Sequence, residues 1–233
     1  MALGNLFNEW MVFSLILLGI WLIIFLSRKI IRKEMLAVSF LTAPLGLTEP
    51  LFVPEYWNPP SLFNLATTTG FDIESLIFSF AVGGIASVIY QGIFNLKNLK
   101  INKQEIHSKK HRYHLLAILS PFIIFLVLAF FSEINPIYSS IIAMFLGGIA
   151  TILCRPDLKK KVLYSGLIFL AIYFVFFLSF NIIYPWAVER FWNLSAISGI
   201  LILRIPLEEL LFAFTLGMIW GSIYEHVKWY KLK

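Results

Sequence analysis

The chain has few charged residues and almost no cysteine. Of its 233 residues 14% are charged and 59% are hydrophobic, and the mean hydropathy is +0.83. This balance is too apolar for a soluble domain of this length. Cys154 is the single cysteine, so an internal disulfide is excluded. We interpret Cys154 as a packed, reduced thiol that gives no metal site.

Signatures of bound cofactors are also missing. No GxGxxG or Walker pattern is present, and Gly83-Gly84 lies inside an apolar run, so we expect no nucleotide cofactor. His107, His111 and His114 lie in a basic segment without a cysteine or an acid at ligand spacing, so the sequence predicts no metal. The last apolar segment contains no lysine, which excludes the Schiff-base site of a retinal pigment.

Long hydrophobic runs dominate the sequence. Most are near the roughly twenty residues that a membrane-spanning helix requires, although the second is short and broken by Pro44 and Pro50. The seven segments are Trp10–Ser27, Met35–Phe52, Ile73–Phe94, Leu115–Ser132, Pro136–Leu153, Val162–Trp186 and Leu207–Val227. They predict an all-α membrane protein with seven transmembrane helices. The first lacks a cationic start and a cleavage site, so we expect it to be retained.

Basic residues follow alternate segments, at positions 28–33, 97–112, 155–161 and 228–233. Lysine and arginine beside a spanning helix stay on the cytoplasmic side. We therefore expect the amino terminus outside and the carboxyl terminus inside, in the cell membrane. The net charge of +6 is then a topology signal and not an indication of nucleic-acid binding.

One stretch of sequence recurs about 134 residues later. Residues 71–80 (FDIESLIFSF) match residues 205–214 (IPLEELLFAF), and upstream Trp57 pairs with Trp192. Repetition at this spacing indicates two parallel three-helix repeats joined by a linking helix. The predicted boundaries are 1–96 for the first repeat, 97–134 for the basic cytoplasmic loop and linking helix, and 135–233 for the second repeat. A site between the repeats would be lined by the third and seventh helices.

Each copy of the repeat opens with an acid that shares a helix face with a phenylalanine. At 100° per residue, Glu74 and Phe78 lie on one helix face about one turn apart, and so do Glu208 and Phe212. An acid in a first helical turn also complements the helix dipole, so capping is an alternative role.

Two further acids are expected at the same depth in the membrane, near its outer side. Glu209 adjoins Glu208, and Glu49 precedes Pro50. Capping alone does not account for paired glutamates, and acids buried in a membrane are usually functional.

Three motifs carry a family resemblance. Pro206-Leu207-Glu208-Glu209, its partner Asp72-Ile73-Glu74-Ser75 and the run Glu49-Pro50-Leu51-Phe52, in a three-plus-one-plus-three layout, resemble the small integral-membrane lycopene cyclases. That family occurs as split halves or as one fused chain. The first repeat departs from the pattern, with Asp72 where proline is expected and Ser75 where a second glutamate is expected.

The resemblance implies an acid-catalysed isomerisation of lycopene, a lipid-soluble polyene, without a cofactor. A buried carboxylic acid protonates the terminal double bond, the neighbouring alkene closes a ring, and a proton is lost. Under this hypothesis Glu208 is the acid, and Glu209, Glu74 and Glu49 are its partners. Aromatic faces stabilise the carbocation and bind the substrate. The candidates are Phe78, Phe212, Trp57 and Trp192.

Two alternatives stay open at this point. Parallel three-helix repeats also build small transporters, which would need a polar midplane. The interiors of the third and seventh segments, between the acids at their start and their cytoplasmic ends, carry no charge and favour an apolar ligand. A non-catalytic carotenoid-binding protein would need no protonated acid. The sequence also leaves self-association into a homo-oligomer open.

Overall fold

The computed structural model describes residues 8–106 and 111–233, which form a bundle of helices with short strands at its ends. The α-helices are α1 (Glu9–Ser27), α2 (Arg32–Thr42), α3 (Leu65–Thr69), α4 (Ile73–Phe94), α5 (Lys103–Ile106), α6 (His114–Phe131), α7 (Pro136–Cys154), α8 (Lys159–Ile183), α9 (Ala187–Phe191) and α10 (Leu207–Lys228). The strands are β1 (Asn98–Lys100), β2 (Leu201–Ile202), β3 (Ile205–Pro206) and β4 (Tyr230–Leu232). β1 pairs with β4 and β2 with β3, both antiparallel.

Within the described residues, six helices are long and apolar enough to cross a membrane: α1, α4, α6, α7, α8 and α10. The chain is therefore an all-α, multi-pass membrane protein. The segment Met35–Phe52, predicted as the second of seven spans, differs. It contains α2 and then a 3₁₀ helix, Ala43–Leu51. Pro44 and Pro50 lack the amide hydrogen that a continuous α-helix would use here.

Side-chain caps fix where several helices begin. Asn8 accepts a hydrogen bond from the Met11 amide at 2.7 Å and caps α1. Asp72 accepts a hydrogen bond from the Ser75 amide and caps α4. The two repeat-related helices also end alike, because Asn95 after α4 and Trp229 after α10 both have a left-handed backbone, with φ of 54° and 56°.

Close glycine contacts hold the central helices together. A Cβ atom on Gly217 of α10 would lie 2.7 Å from the Ser165 carbonyl oxygen and 2.9 Å from the Gly166 Cα of α8. A Cβ on Gly83 of α4 would clash with Thr42 of α2. Small residues at such crossings let helix backbones approach each other in membranes. α4 and α10 are thereby fixed at the centre of the bundle.

The bundle has two chemically different ends. We call the end at which α4 and α10 begin the acid end, because Glu74 and Glu209 lie there, and the opposite end the basic end. At the basic end Arg28 donates to Asn95 Oδ1 at 3.1 Å, and Arg155 donates to the Tyr230 carbonyl at 2.6 Å. Basic residues that are distant in sequence thus lie at one end of the bundle.

Repeat-equivalent residues contact each other at both ends. Trp57 and Trp192 form a β-bridge at the acid end, with ring centroids 5.4 Å apart. Near the basic end, Gln91 Nε2 donates to Glu225 Oε1. Each contact joins two residues that are 134 or 135 positions apart in the sequence.

Candidate active site

An apolar cavity of about 380 Å³ lies between α4 and α10. This volume is typical of small-molecule sites. The four aromatic residues that the sequence suggested for substrate binding all line it. They are Trp57, Phe78, Trp192 and Phe212. Two of the four candidate acids, Glu49 and Glu209, line the same cavity.

Glu209 is held by three hydrogen-bond donors. Tyr56 Oη donates to Oε1 at 2.5 Å and Trp192 Nε1 to the same oxygen at 3.0 Å, while Tyr173 Oη donates to Oε2 at 2.6 Å. All four side chains are buried. An ionised carboxylate accepts hydrogen bonds at both oxygens, so this arrangement replaces the water that a charged Glu209 would otherwise need.

Glu49 has a different environment. It lies in the 3₁₀ helix Ala43–Leu51, outside the six candidate spans, and is 8% exposed. Its Oε1 has no hydrogen-bond partner among the described residues. Burial and then the negative charge of Asp72 raise the pKa of Glu49 to about 8. Glu49 is therefore a carboxylic acid that keeps its proton at neutral pH.

Glu74 does not line the cavity but fixes a loop. Its Oε1 accepts hydrogen bonds from the Leu62 amide at 2.7 Å and from Asn8 Nδ2 at 2.8 Å. The carboxylate thereby joins the start of α4 to the preceding loop and to the start of α1.

Glu208 makes the equivalent contacts in the second half. Its Oε1 accepts from the Ser198 amide at 2.9 Å and from Tyr138 Oη at 2.6 Å, so it joins the start of α10 to the preceding loop and to α7. Glu208 is not among the cavity-lining residues. Neighbouring residues on a helix point about 100° apart, so Glu209 and not Glu208 faces the cavity.

The two halves supply their cavity acids from different elements. Ser75 is the repeat equivalent of Glu209, and it also lines the cavity. Glu49, which precedes the start of α4 by more than twenty residues, provides the carboxylate that Ser75 lacks.

Two residues of this site were not identified from the sequence. Tyr56 and Tyr173 both donate to Glu209. Tyr56 adjoins Trp57, whose repeat pairing marked that segment, but Tyr173 lies in α8 without any motif around it. Only the packing of α8 against α10 shows that it reaches the acid.

The basic end brings together side chains that the sequence analysis treated as unrelated. His111, His114 and Cys154 have potential ligand atoms within 4.8 Å of one another. Cys154 is therefore not an isolated thiol. Its two histidine partners precede it by about forty residues in the sequence, which is too far for a recognisable metal-ligand motif. His107 lies outside the described residues.

Comparison with known proteins found a family match in the second half of the chain. Residues 135–227 match the family described as lycopene cyclase. The match covers α7, α8 and α10 and includes Glu208 and Glu209. No curated protein and no solved structure matched the chain significantly.

Proposed function

Because residues 135–227 match the lycopene cyclase family, we propose that this chain cyclises an end group of a lycopene-like polyene within the membrane. The reaction is an isomerisation of the intramolecular lyase type. One observation carries the proposal: Glu49 and Glu209, two acids in different environments, line one apolar cavity between α4 and α10.

The cavity supplies a proton donor and a second, hydrogen-bonded carboxyl group. Protonated Glu49 gives its proton to the terminal carbon–carbon double bond, and the resulting cation is attacked by the neighbouring alkene, which closes the ring. The ring cation then returns a proton to the Glu49 carboxylate, so no atoms or electrons are gained or lost. The oxygens of Glu209, which accept hydrogen bonds from Tyr56, Tyr173 and Trp192, carry partial negative charge and stabilise the cation.

Aromatic faces complete the stabilisation of the cation. The rings of Trp57 and Trp192 are 5.4 Å apart and inclined by 49°, and both line the cavity with Phe78 and Phe212. A cation within about 6 Å of such a ring is attracted to its π face.

The cavity wall reaches the lipid-facing surface at α6. Phe122, Leu126 and Phe130 line the cavity and are 38%, 51% and 65% exposed. A polyene dissolved in the bilayer therefore meets this wall without crossing water, which supports an apolar substrate over a polar one.

The proposal is tested in cells that make lycopene, with pigments separated by chromatography. The wild-type chain is expected to convert linear end groups to rings. Glu209→Gln and Glu49→Gln are each expected to lower conversion at least about a hundredfold, since positioned acid–base groups contribute about 10²–10⁴-fold.

Glu55→Gln is the matched control, because Glu55 is an exposed acid at the same end of the bundle. It is expected to convert lycopene like the wild type. Unchanged conversion by both cavity variants would contradict the proposal. So would a wild-type chain that binds lycopene and leaves it linear, which is the behaviour of a non-catalytic carotenoid-binding protein.

A further inference from the structure

A cluster of nitrogen and sulfur ligands at the basic end has no part in the proposed cyclisation. His114 begins α6, His111 precedes it, and Cys154 ends α7. Cys154 Sγ lies 3.4 Å from His114 Nδ1 and 3.9 Å from His111 Nδ1. Glu209 and His226 stand at opposite ends of α10, about 26 Å apart at 1.5 Å per residue, so the cluster is remote from the cavity.

These distances are those of a metal site. Zinc binds thiolate sulfur at about 2.3 Å and imidazole nitrogen at about 2.0–2.1 Å in a tetrahedron, which sets sulfur and nitrogen ligands about 3.6 Å apart. The sulfur-to-nitrogen distances of 3.4 and 3.9 Å lie on either side of that value. All three ligand atoms are within 4.8 Å of one another, so a small closing movement completes the geometry.

The surroundings hold the ligands in place. The Trp229 ring stacks on His114 with centroids 3.8 Å apart and planes inclined by 19°, and it meets His111 edge-on at 5.0 Å. His226, fully buried, lies 4.6 Å from the His114 ring, and its Nδ1 is 3.3 Å from Thr151 Oγ1. Fixed neighbours of this kind orient metal-binding imidazoles.

The nearby positive charge is compensated. Arg155 follows Cys154, but its guanidinium pairs with Asp157 at 2.6 Å and donates to the Tyr230 carbonyl. Repulsion of a divalent cation by Arg155 is therefore reduced.

We propose that His111, His114 and Cys154 bind one zinc ion, with water in the fourth position. A thiolate and two imidazoles are ligands that suit Zn²⁺. The bound ion would join the segment before α6 to the end of α7 and so fix the linking helix against the second half of the bundle.

Cobalt titration of the purified full-length protein in detergent tests this site. The wild type is expected to bind one Co²⁺ per chain with a thiolate-to-cobalt charge-transfer band, which added Zn²⁺ removes. Cys154→Ser is expected to lose that band. The double variant His111→Ala/His114→Ala is expected to weaken cobalt binding by at least about tenfold. Loss of a residue that only hydrogen-bonds to a metal ligand already costs about 10–100-fold in affinity, and these two residues are proposed as ligands.

Glu105→Gln is the matched control, because Glu105 is an exposed acid in α5 at the same end of the bundle and is not one of the three donors. It is expected to keep the charge-transfer band. Gel filtration and circular dichroism check that every variant is folded. Three outcomes would each overturn the three-residue site: a folded wild type without the band, Cys154→Ser binding cobalt as tightly as the wild type, or Glu105→Gln losing the band as Cys154→Ser does.

Discussion

Two adjacent glutamates at the start of α10 have different environments, and helix geometry separates their roles. Glu209 points into the cavity, while Glu208 accepts hydrogen bonds from Ser198 and Tyr138. Glu74 makes the equivalent contacts with Leu62 and Asn8 in the first half. We therefore assign Glu208 and Glu74 as positioning residues, although the sequence favoured Glu208 as the acid.

Substitutions at Glu208 separate positioning from proton transfer. Glu208→Gln keeps an oxygen that accepts from Ser198 and Tyr138, so we expect nearly wild-type lycopene conversion and thermal stability. Glu208→Ala leaves those donors unpaired and is expected to cost about 1–3 kcal/mol of stability. Pigment chromatography and thermal unfolding in detergent measure both effects. A stable Glu208→Gln protein that no longer cyclises lycopene would indicate that Glu208, and not Glu49, is the proton donor.

The protonation of Glu49 predicts how activity depends on pH. Its pKa of about 8 means that the acid is protonated below this pH and ionised above it. The cyclisation rate in proteoliposomes is therefore expected to be full near pH 6–7 and to fall tenfold per unit above about pH 8. A rate that rises through this range in folded protein would exclude Glu49 as the donor.

At the scale of the elements, α8 and α10 approach each other at Gly166 and Gly217, which have no side chains. Gly217→Ala would place a methyl group 2.7 Å from the Ser165 carbonyl, a backbone atom that cannot turn away. We expect a loss of about 1–3 kcal/mol of stability, as for other overpacked sites. Thermal unfolding in detergent measures it. Gly19→Ala in α1, where a Cβ meets nothing within 4 Å, is the control and should unfold like the wild type.

The sequence predicted the positions of the helices better than the side-chain contacts between them. Apolar length gave Ile73–Phe94 with the bounds of α4, because a spanning helix satisfies its own backbone hydrogen bonds. The prolines explain why Met35–Phe52 is not a single α-helix. The helix period and the repeat pairing selected aromatic residues that line the cavity, yet they did not decide which of Glu208 and Glu209 faces it. That choice, like the approach of Cys154 to His114, depends on neighbouring helices.

At the scale of the whole molecule, buried charges join the two halves near the basic end. Lys161 Nζ lies 2.6 Å from Glu225 and 3.1 Å from Glu34. Glu34 belongs to the predicted first repeat, and Lys161 and Glu225 to the second. All three side chains are at most 3% exposed, so each charge depends on the others.

Removal of Lys161 is expected to lower the stability of the protein. Lys161→Met leaves two buried carboxylates without their cation, which typically costs about 3–5 kcal/mol. Lys160→Met is the matched control, because Lys160 is exposed and precedes Lys161 on the same helix. Thermal unfolding in detergent should show a large loss for Lys161→Met, no loss for Lys160→Met, and partial recovery when Glu225→Gln is added to Lys161→Met. Equal stability of the two lysine variants would mean that the halves are held by helix packing and not by this ion cluster.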